Sequence, residues 1–150
     1  MKKIILICLL GTSLAVSNAQ ESKETKESKL AESAVPAAVK SKFTSLYPGL
    51  KAEKWEKENG NFEAGFHKDK IEMSVLIDAA GNLMETETKI AVSELPKSIS
   101  DYVAKNKAGK KIKEAARIVD AKGVTTFEAE VDKMDLLFDK DGKFIKESKD

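Results

Sequence analysis

The chain has 150 residues, 26 basic and 25 acidic side chains, and a net charge of +1. This length favours a single domain. Because both signs of charge are interspersed along the sequence, the composition argues against a nucleic-acid or anionic-membrane surface, which needs clustered basic residues.

The first 19 residues are typical of a secretory signal peptide. Lys2 and Lys3 precede an apolar run from Ile4 to Val16, and Ser17-Asn18-Ala19 offers small residues for a cleavage site. The run is too short for a membrane span, which needs about 20 predominantly apolar residues. We therefore predict cleavage near Ala19, a periplasmic or secreted location, and no membrane insertion after cleavage.

N-terminal sequencing of the exported protein tests this prediction. We expect the mature chain to begin at or near Gln20, because the small residues that a signal peptidase recognises end at Ala19. Recovery of the chain with intact Met1 from the cytoplasm would contradict it. Cys8, the only cysteine, would leave with the signal, so the mature chain could form no disulfide.

The next segment, residues 20–34, is predicted to be a charged linker. It is mostly charged or small polar and cannot bury enough apolar area to offset its ordering entropy. Val35 to Leu46 then predicts a first helix, with Ser33 as its N-cap and Pro36 in its first turn. Pro48-Gly49 ends the helix.

Four strands are predicted after this helix. The first, residues 51–58, leads into Asn59-Gly60, which is a strong hairpin signal because both central positions of a type I′ turn need a positive φ. Alternation of apolar and polar residues predicts strands at 62–67 and 71–77, followed by a polar strand from Leu83 to Ile90.

A weaker copy of this pattern follows about sixty residues later. FEA at 62–64 recurs at 127–129, and MSVLIDAAGNL at 73–83 recurs as MDLLFDKDGKF at 134–144. Leu95-Pro96 repeats Val35-Pro36 and opens a second predicted helix, whose apolar face includes Ile99 and Val103. Strands are predicted at 112–119, 124–131, 134–138 and 143–148.

The economical fold is α+β, with two tandem helix and β-meander repeats at about 35–91 and 92–150. An isolated meander of this size is marginal, so we predict one antiparallel sheet of about eight strands. Two helices would pack on its apolar face and leave the other face to solvent. The predicted core residues are Phe43, Phe66, Val75, Ile77, Val103, Leu136 and Phe138.

The orientation of Trp55 depends on the hairpin that follows it. If the Asn59-Gly60 turn has two residues, Trp55 lies opposite Ala64, on the core face. One more residue in the loop would turn Trp55 outward. We favour the core, since large aromatic side chains are usually mostly buried.

This pattern resembles the PepSY-like family of bacterial envelope proteins, whose fold is similar to that of the beta-lactamase-inhibitor protein. Four features carry the resemblance: the openings Val35-Pro36 and Leu95-Pro96, Trp55, the FEA strands, and the closing segments LIDAAGNLMETE and LFDKDGKFIKES. The resemblance covers 35–150 and implies a non-enzymatic envelope module that binds a protein or peptide, including as an inhibitor.

No residues predict a catalytic, cofactor-binding or metal site. His67 is the only histidine and is predicted to be a solvent-facing strand residue, since a metal site needs several converging ligands. The segments after Asp78 and Asp139 resemble the start of a calcium loop but lack its further oxygen ligands. We predict that both are β-turns with glycine at positive φ.

The leading hypothesis is a binding module that uses the sheet face away from the helices and takes an unidentified protein or peptide. The second copy is the more acidic, which favours a basic or mixed-charge partner there. The alternatives are an envelope hydrolase with a carboxylate site and a structural or stress-related periplasmic protein. The predicted binding face consists of Glu53, Lys57, Glu63, His67, Glu72, Ser74, Leu76, Thr126, Glu128, Glu130 and Asp135.

Overall fold

The computed structural model describes residues 28–149, which form two helices and nine strands. The predicted signal peptide lies outside the described residues. The helices are α1 (Ala37–Leu46) and α2 (Lys97–Asn106). The strands are β1 (Ser28–Leu30), β2 (Lys54–Glu58), β3 (Asn61–Lys68), β4 (Ile71–Ile77), β5 (Leu83–Ile90), β6 (Glu114–Asp120), β7 (Thr125–Val131), β8 (Met134–Asp139) and β9 (Phe144–Lys149).

All nine strands belong to one antiparallel sheet, in which each strand pairs with its neighbour in the chain. The two copies join where β5 pairs with β6, with Glu87 opposite Ile118. This join satisfies the backbone donors and acceptors at what would otherwise be two free sheet edges. The prediction of a single antiparallel sheet is thus confirmed, with nine strands in place of about eight.

The additional strand is β1, which lies inside the segment predicted to be a charged linker. It pairs with β2 through Leu30 and Trp55. Its sequence, SKL, has only one apolar residue, and Leu30 packs against the core of the first copy. Three residues are too few for an alternating pattern to predict a strand. β1 forms because its backbone pairs with the edge of β2.

Both helices begin one residue after a proline. Pro36 caps α1 and Pro96 caps α2, and each has an extended backbone that precedes the first turn. The predicted start at Val35 and the predicted N-cap Ser33 are therefore wrong, since Ser33 lies in a short 3-10 turn over Glu32–Ala34. Val35 nevertheless packs in the core, which explains its place in the apolar pattern.

The hairpin between β2 and β3 determines the orientation of Trp55. Asn59 and Gly60 have φ values of 49° and 87°, as a two-residue type I′ turn requires. Trp55 consequently pairs with Ala64 and is buried against Phe43, with the two ring centroids 5.8 Å apart. The prediction that Trp55 faces the core is confirmed.

The core consists of two clusters, one under each helix. Val39 and Phe43 of α1 pack on the first copy, and Ile99 and Val103 of α2 pack on the second. Each helix thus covers the strands of its own copy on the same side of the sheet, which we call the helix face. All seven predicted core residues are buried there.

Candidate functional site

The other side of the sheet, which we call the open face, carries most of the acidic residues of the strands. Because side chains alternate along a strand, the pairing register assigns each residue to a face. Ser74 on β4, Glu87 on β5 and Ile118 on β6 lie side by side on the open face. Its acidic side chains are Glu56, Glu58, Glu63, Glu72, Glu85, Glu87, Glu114, Asp120, Glu128, Glu130, Asp135 and Asp139.

Several of these carboxylates are buried, although both helices pack on the opposite side. Glu63, Glu128 and Asp135 are no more than 6% exposed. The open face must therefore curve inward, so that its own side chains cover one another. We call this inward-curved part of the open face the trough.

An apolar patch lies in this trough. Leu76 and Ile118 are buried against each other, with Met84 and Leu137 packed beside them. All four residues come from strands, so the patch is separate from the cores under the helices. Apolar atoms next to carboxylates lower the local dielectric and strengthen electrostatic interactions there.

Two basic side chains on the open face, Lys54 and Lys89, are engaged in ion pairs. The Lys89 ammonium lies 3.0 Å from a carboxylate oxygen of Glu114 and 3.3 Å from one of Glu72. Lys54 Nζ lies 2.8 Å from Glu56 Oε2. The stem of Lys54 crosses Gly65, where an added Cβ would come within 2.6 Å of it. Glycine at this position leaves room for the Lys54–Glu56 pair.

Glu87 lies near the centre of the trough and differs from its neighbours. Its side chain is buried, and neither carboxylate oxygen has a hydrogen-bond partner among residues 28–149. Burial raises the pKa of Glu87 well above its usual range, and the negative charges of Glu128, Glu63 and Asp135 raise it further. Both causes favour the protonated form of Glu87.

Two other open-face carboxyls share this behaviour. Burial raises the pKa of Glu85 to about 7, with a further contribution from Asp120. Burial also raises the pKa of Glu63, although a hydrogen bond from Ser74 opposes the shift. Each shift has the same origin, because removal of a carboxylate from water disfavours its charged form.

The sheet brings most of the predicted binding residues together on the open face. Glu53 lies at its margin, where its Oε1 is 2.9 Å from Nδ1 of His67. His67 is exposed, as predicted. The predicted residues that the strand registers assign to the open face are Glu63, His67, Glu72, Ser74, Leu76, Thr126, Glu128, Glu130 and Asp135.

Lys57 was assigned to the wrong face. It pairs with Phe62, so it lies on the helix face, and its ammonium is 5.8 Å from the Phe62 ring centroid. Residues two apart in a strand lie on the same side of the sheet. Lys57 therefore shares the helix face with Trp55. Lys54, Glu56 and Glu58 are the open-face residues of β2 that the sequence interpretation missed.

Glu87 was also missed by the sequence interpretation. The segment LMETETKI over Leu83–Ile90 predicts a polar strand, and its alternating acids were the available signal. The sequence interpretation took this segment as a polar strand and did not indicate that one of its acids would be buried. Its place between β4 and β6 makes β5 the central strand of the sheet and buries Glu87.

The two segments that resemble calcium loops are turns. Asp78 Oδ1 accepts hydrogen bonds from the backbone N–H groups of Ala80 and Asn82, both at 2.9 Å. Asp139 Oδ1 likewise accepts two backbone N–H bonds in its own turn. Gly81 has a φ of 88°, which confirms the predicted turn with glycine at positive φ. Each aspartate thus orders its own loop.

Comparison with known proteins agrees with the fold. A BLIP-like protein from Bacteroides fragilis is 24% identical, with a TM-score of 0.59 over 76% of this chain and 86% of that one. A DUF2874 family protein from Bacteroides uniformis is 18% identical, with a TM-score of 0.65 over 76% and 88%. A candidate periplasmic protein from Bacteroides eggerthii is 14% identical, with a TM-score of 0.66 over 77% and 88%. At these identities the likeness concerns the fold alone.

Neither helix among the described residues has the length and apolar character needed to span a bilayer. No curated protein matches the chain.

The internal repeat appears again in the comparison with protein families. One family model matches the chain twice, over residues 17–85 and 75–146. The first match includes α1 to β4 and ends in β5, and the second runs from β4 into β9, so each match contains one helix. Together they span most of the sequence. The chain therefore belongs to the PepSY-like, beta-lactamase-inhibitor-like family.

Proposed function

We propose that the protein is an exported, non-enzymatic binding module of the bacterial envelope that takes a protein or peptide in the trough of its open face. One observation carries the proposal: the sheet concentrates buried carboxylates and the Leu76–Ile118 patch on a face that neither helix packs against. Acidic side chains are almost never fully buried unless they are paired, and the buried Glu87 carboxyl has no hydrogen bond to either oxygen within residues 28–149. A buried polar group of this kind calls for an explanation, and a bound partner supplies one.

The composition of the trough indicates the class of partner. An apolar centre surrounded by acids resembles a binding surface with a desolvated core and a polar rim. The acids lie on both copies, with Glu63 and Glu72 on the first and Glu128 and Glu130 on the second. A partner with basic or mixed charge complements this surface. Inhibition of an enzyme is one form that such binding would take.

Site-specific photo-crosslinking in the native envelope tests the proposal. Thr126 lies on the open face, between Ile118 and Asp139, and Thr44 is an exposed residue of α1. A photoreactive amino acid replaces each threonine in turn, so the two variants differ only in the face that they report. We expect a discrete crosslinked protein from position 126 and none from position 44.

The crosslinked species would be identified by mass spectrometry. A crosslink from position 44 alone would move the binding surface to the helices. Absence of any crosslink from position 126, with the variant folded and exported, would contradict binding in the trough.

A further inference from the structure

We propose that the partner places an arginine side chain in the trough, with its guanidinium on the carboxylate of Glu87. This inference rests on the proposed function and names the chemistry that the open face recognises. The expected ligand is an arginine within a basic protein segment, in preference to lysine, a metal ion or a small polyamine.

The first observation is the state of the Glu87 carboxyl. It is 3% exposed, and both oxygens lack a hydrogen-bond partner in the part of the chain that the structure describes. Buried polar groups are almost always hydrogen-bonded, and those that are not call for an explanation. A ligand that donates to both oxygens would supply the missing bonds.

The second observation is the charge around Glu87. The groups that face it are acidic on four other strands: Glu63 on β3, Glu72 on β4, Glu128 on β7 and Asp135 on β8. Lys89 on its own strand is held by Glu72 and Glu114. A cation from a partner would therefore be attracted to these acidic surroundings and would favour the ionised form of Glu87.

The third observation is the apolar surface beside the carboxyl. Ile118 lies opposite Glu87 in the register, and Leu76 packs against Ile118. Long basic side chains lay their methylene stems along apolar surface and extend the charged end further. Both helices pack on the other face of the sheet, so neither helix covers Glu87.

Arginine fits these observations better than the other cations. Its planar guanidinium presents paired N–H groups that bind both oxygens of one carboxylate, whereas lysine acts as a point charge. A metal ion would need several converging ligands, and the described residues contain no group of three that could hold one.

Binding of short labelled peptides to the intact mature protein tests the inference. The probes are a peptide with arginines spaced by glycine and serine, its lysine counterpart, and its citrulline counterpart, which keeps the shape of arginine without the charge. Fluorescence anisotropy at low ionic strength measures their affinities. We expect the arginine peptide to bind more tightly than the lysine peptide, and the citrulline peptide to bind least.

Glu87→Gln should weaken binding of the arginine peptide about tenfold, which corresponds to about 1.4 kcal/mol. Glu32→Gln is the matched control, because it removes the same charge from an exposed residue beside α1 and should leave affinity unchanged. Equal affinity for arginine and lysine peptides, no effect of Glu87→Gln, or no binding at all would overturn the inference. The arginine and citrulline comparison on the wild-type protein remains decisive if the variant does not fold.

Crosslinking separates this inference from the proposed function. If the crosslink from position 126 persists in the Glu87→Gln protein at wild-type yield, a partner occupies the trough without using Glu87, and only the arginine inference fails. If position 126 gives no crosslink in the wild-type background either, the proposed function fails as well. Loss of the crosslink in the folded Glu87→Gln protein alone supports both.

Discussion

Phe66→Ala is expected to lower the free energy of unfolding by about 3–5 kcal/mol. The Phe66 ring is 2% exposed and lies 5.3 Å from the Phe43 ring, at an interplanar angle of 80°. It also lies 4.4 Å from the Tyr47 ring. Truncation would remove these aromatic contacts and leave a cavity between α1 and β3, since a packed core relaxes only partly around a lost ring.

Urea denaturation of the mature protein measures this loss. Ile71→Ala on the neighbouring strand β4 is the matched control, because Ile71 pairs with Lys68 and is 46% exposed. Its truncation should change the free energy of unfolding by about 0.5 kcal/mol or less. A loss below about 1 kcal/mol for Phe66→Ala would contradict the packing of the first core.

Much of the fold was predictable because strand alternation and glycine turns are local signals. Phe62, Ala64 and Phe66 alternate with polar residues, and Asn59-Gly60 determines a two-residue turn. The repeat then predicts that the apolar faces of the two copies lie on the same side of one sheet. β1 was not predictable, because its three residues are held by the edge of β2 and carry almost no pattern of their own.

The candidate site was less predictable than the fold. Alternation predicts which face a residue occupies, and it correctly assigns Glu63, Glu128 and Asp135 to the open face. It does not predict solvent access, which depends on how far the whole sheet curves. These three carboxylates were expected at a solvated surface, yet all are buried. Glu87 was missed because its burial depends on the central position of β5.

The stability of the protein is expected to fall as the pH rises from about 5 to about 8. Burial and neighbouring acids raise the pKa of Glu87 well above its ordinary value of 4.5, and burial with Asp120 raises the pKa of Glu85 to about 7. Above pH 4.5 these carboxyls release their protons in the unfolded chain while the folded protein retains them. The unfolded state then binds fewer protons, so increasing pH favours unfolding.

The contribution of Glu87 to the free energy of unfolding changes with pH at a rate that follows from proton binding. A carboxyl that stays protonated only in the folded state reduces the free energy of unfolding by about 1.4 kcal/mol per pH unit. The loss begins near the unfolded value of 4.5 and ends once the pH exceeds the folded pKa. Asp78 and Asp139 have lowered pKa values, so their opposite effect operates near and below 3.8, outside this range.

Glu87→Gln isolates this effect, because glutamine has nearly the same shape and carries no titratable proton. Thermal melts from pH 5 to 8 should give a shallower pH dependence for the variant than for the wild type. The variant should match the wild type near pH 5 and exceed its melting temperature at pH 8, where ionisation of Glu87 opposes the negative charges of Glu63, Glu72, Glu128 and Asp135. Glu32→Gln, at an exposed position, should retain the wild-type dependence. A variant with the full wild-type slope, or one that is less stable than the wild type at pH 8, would mean that Glu87 is not a buried acid without a partner.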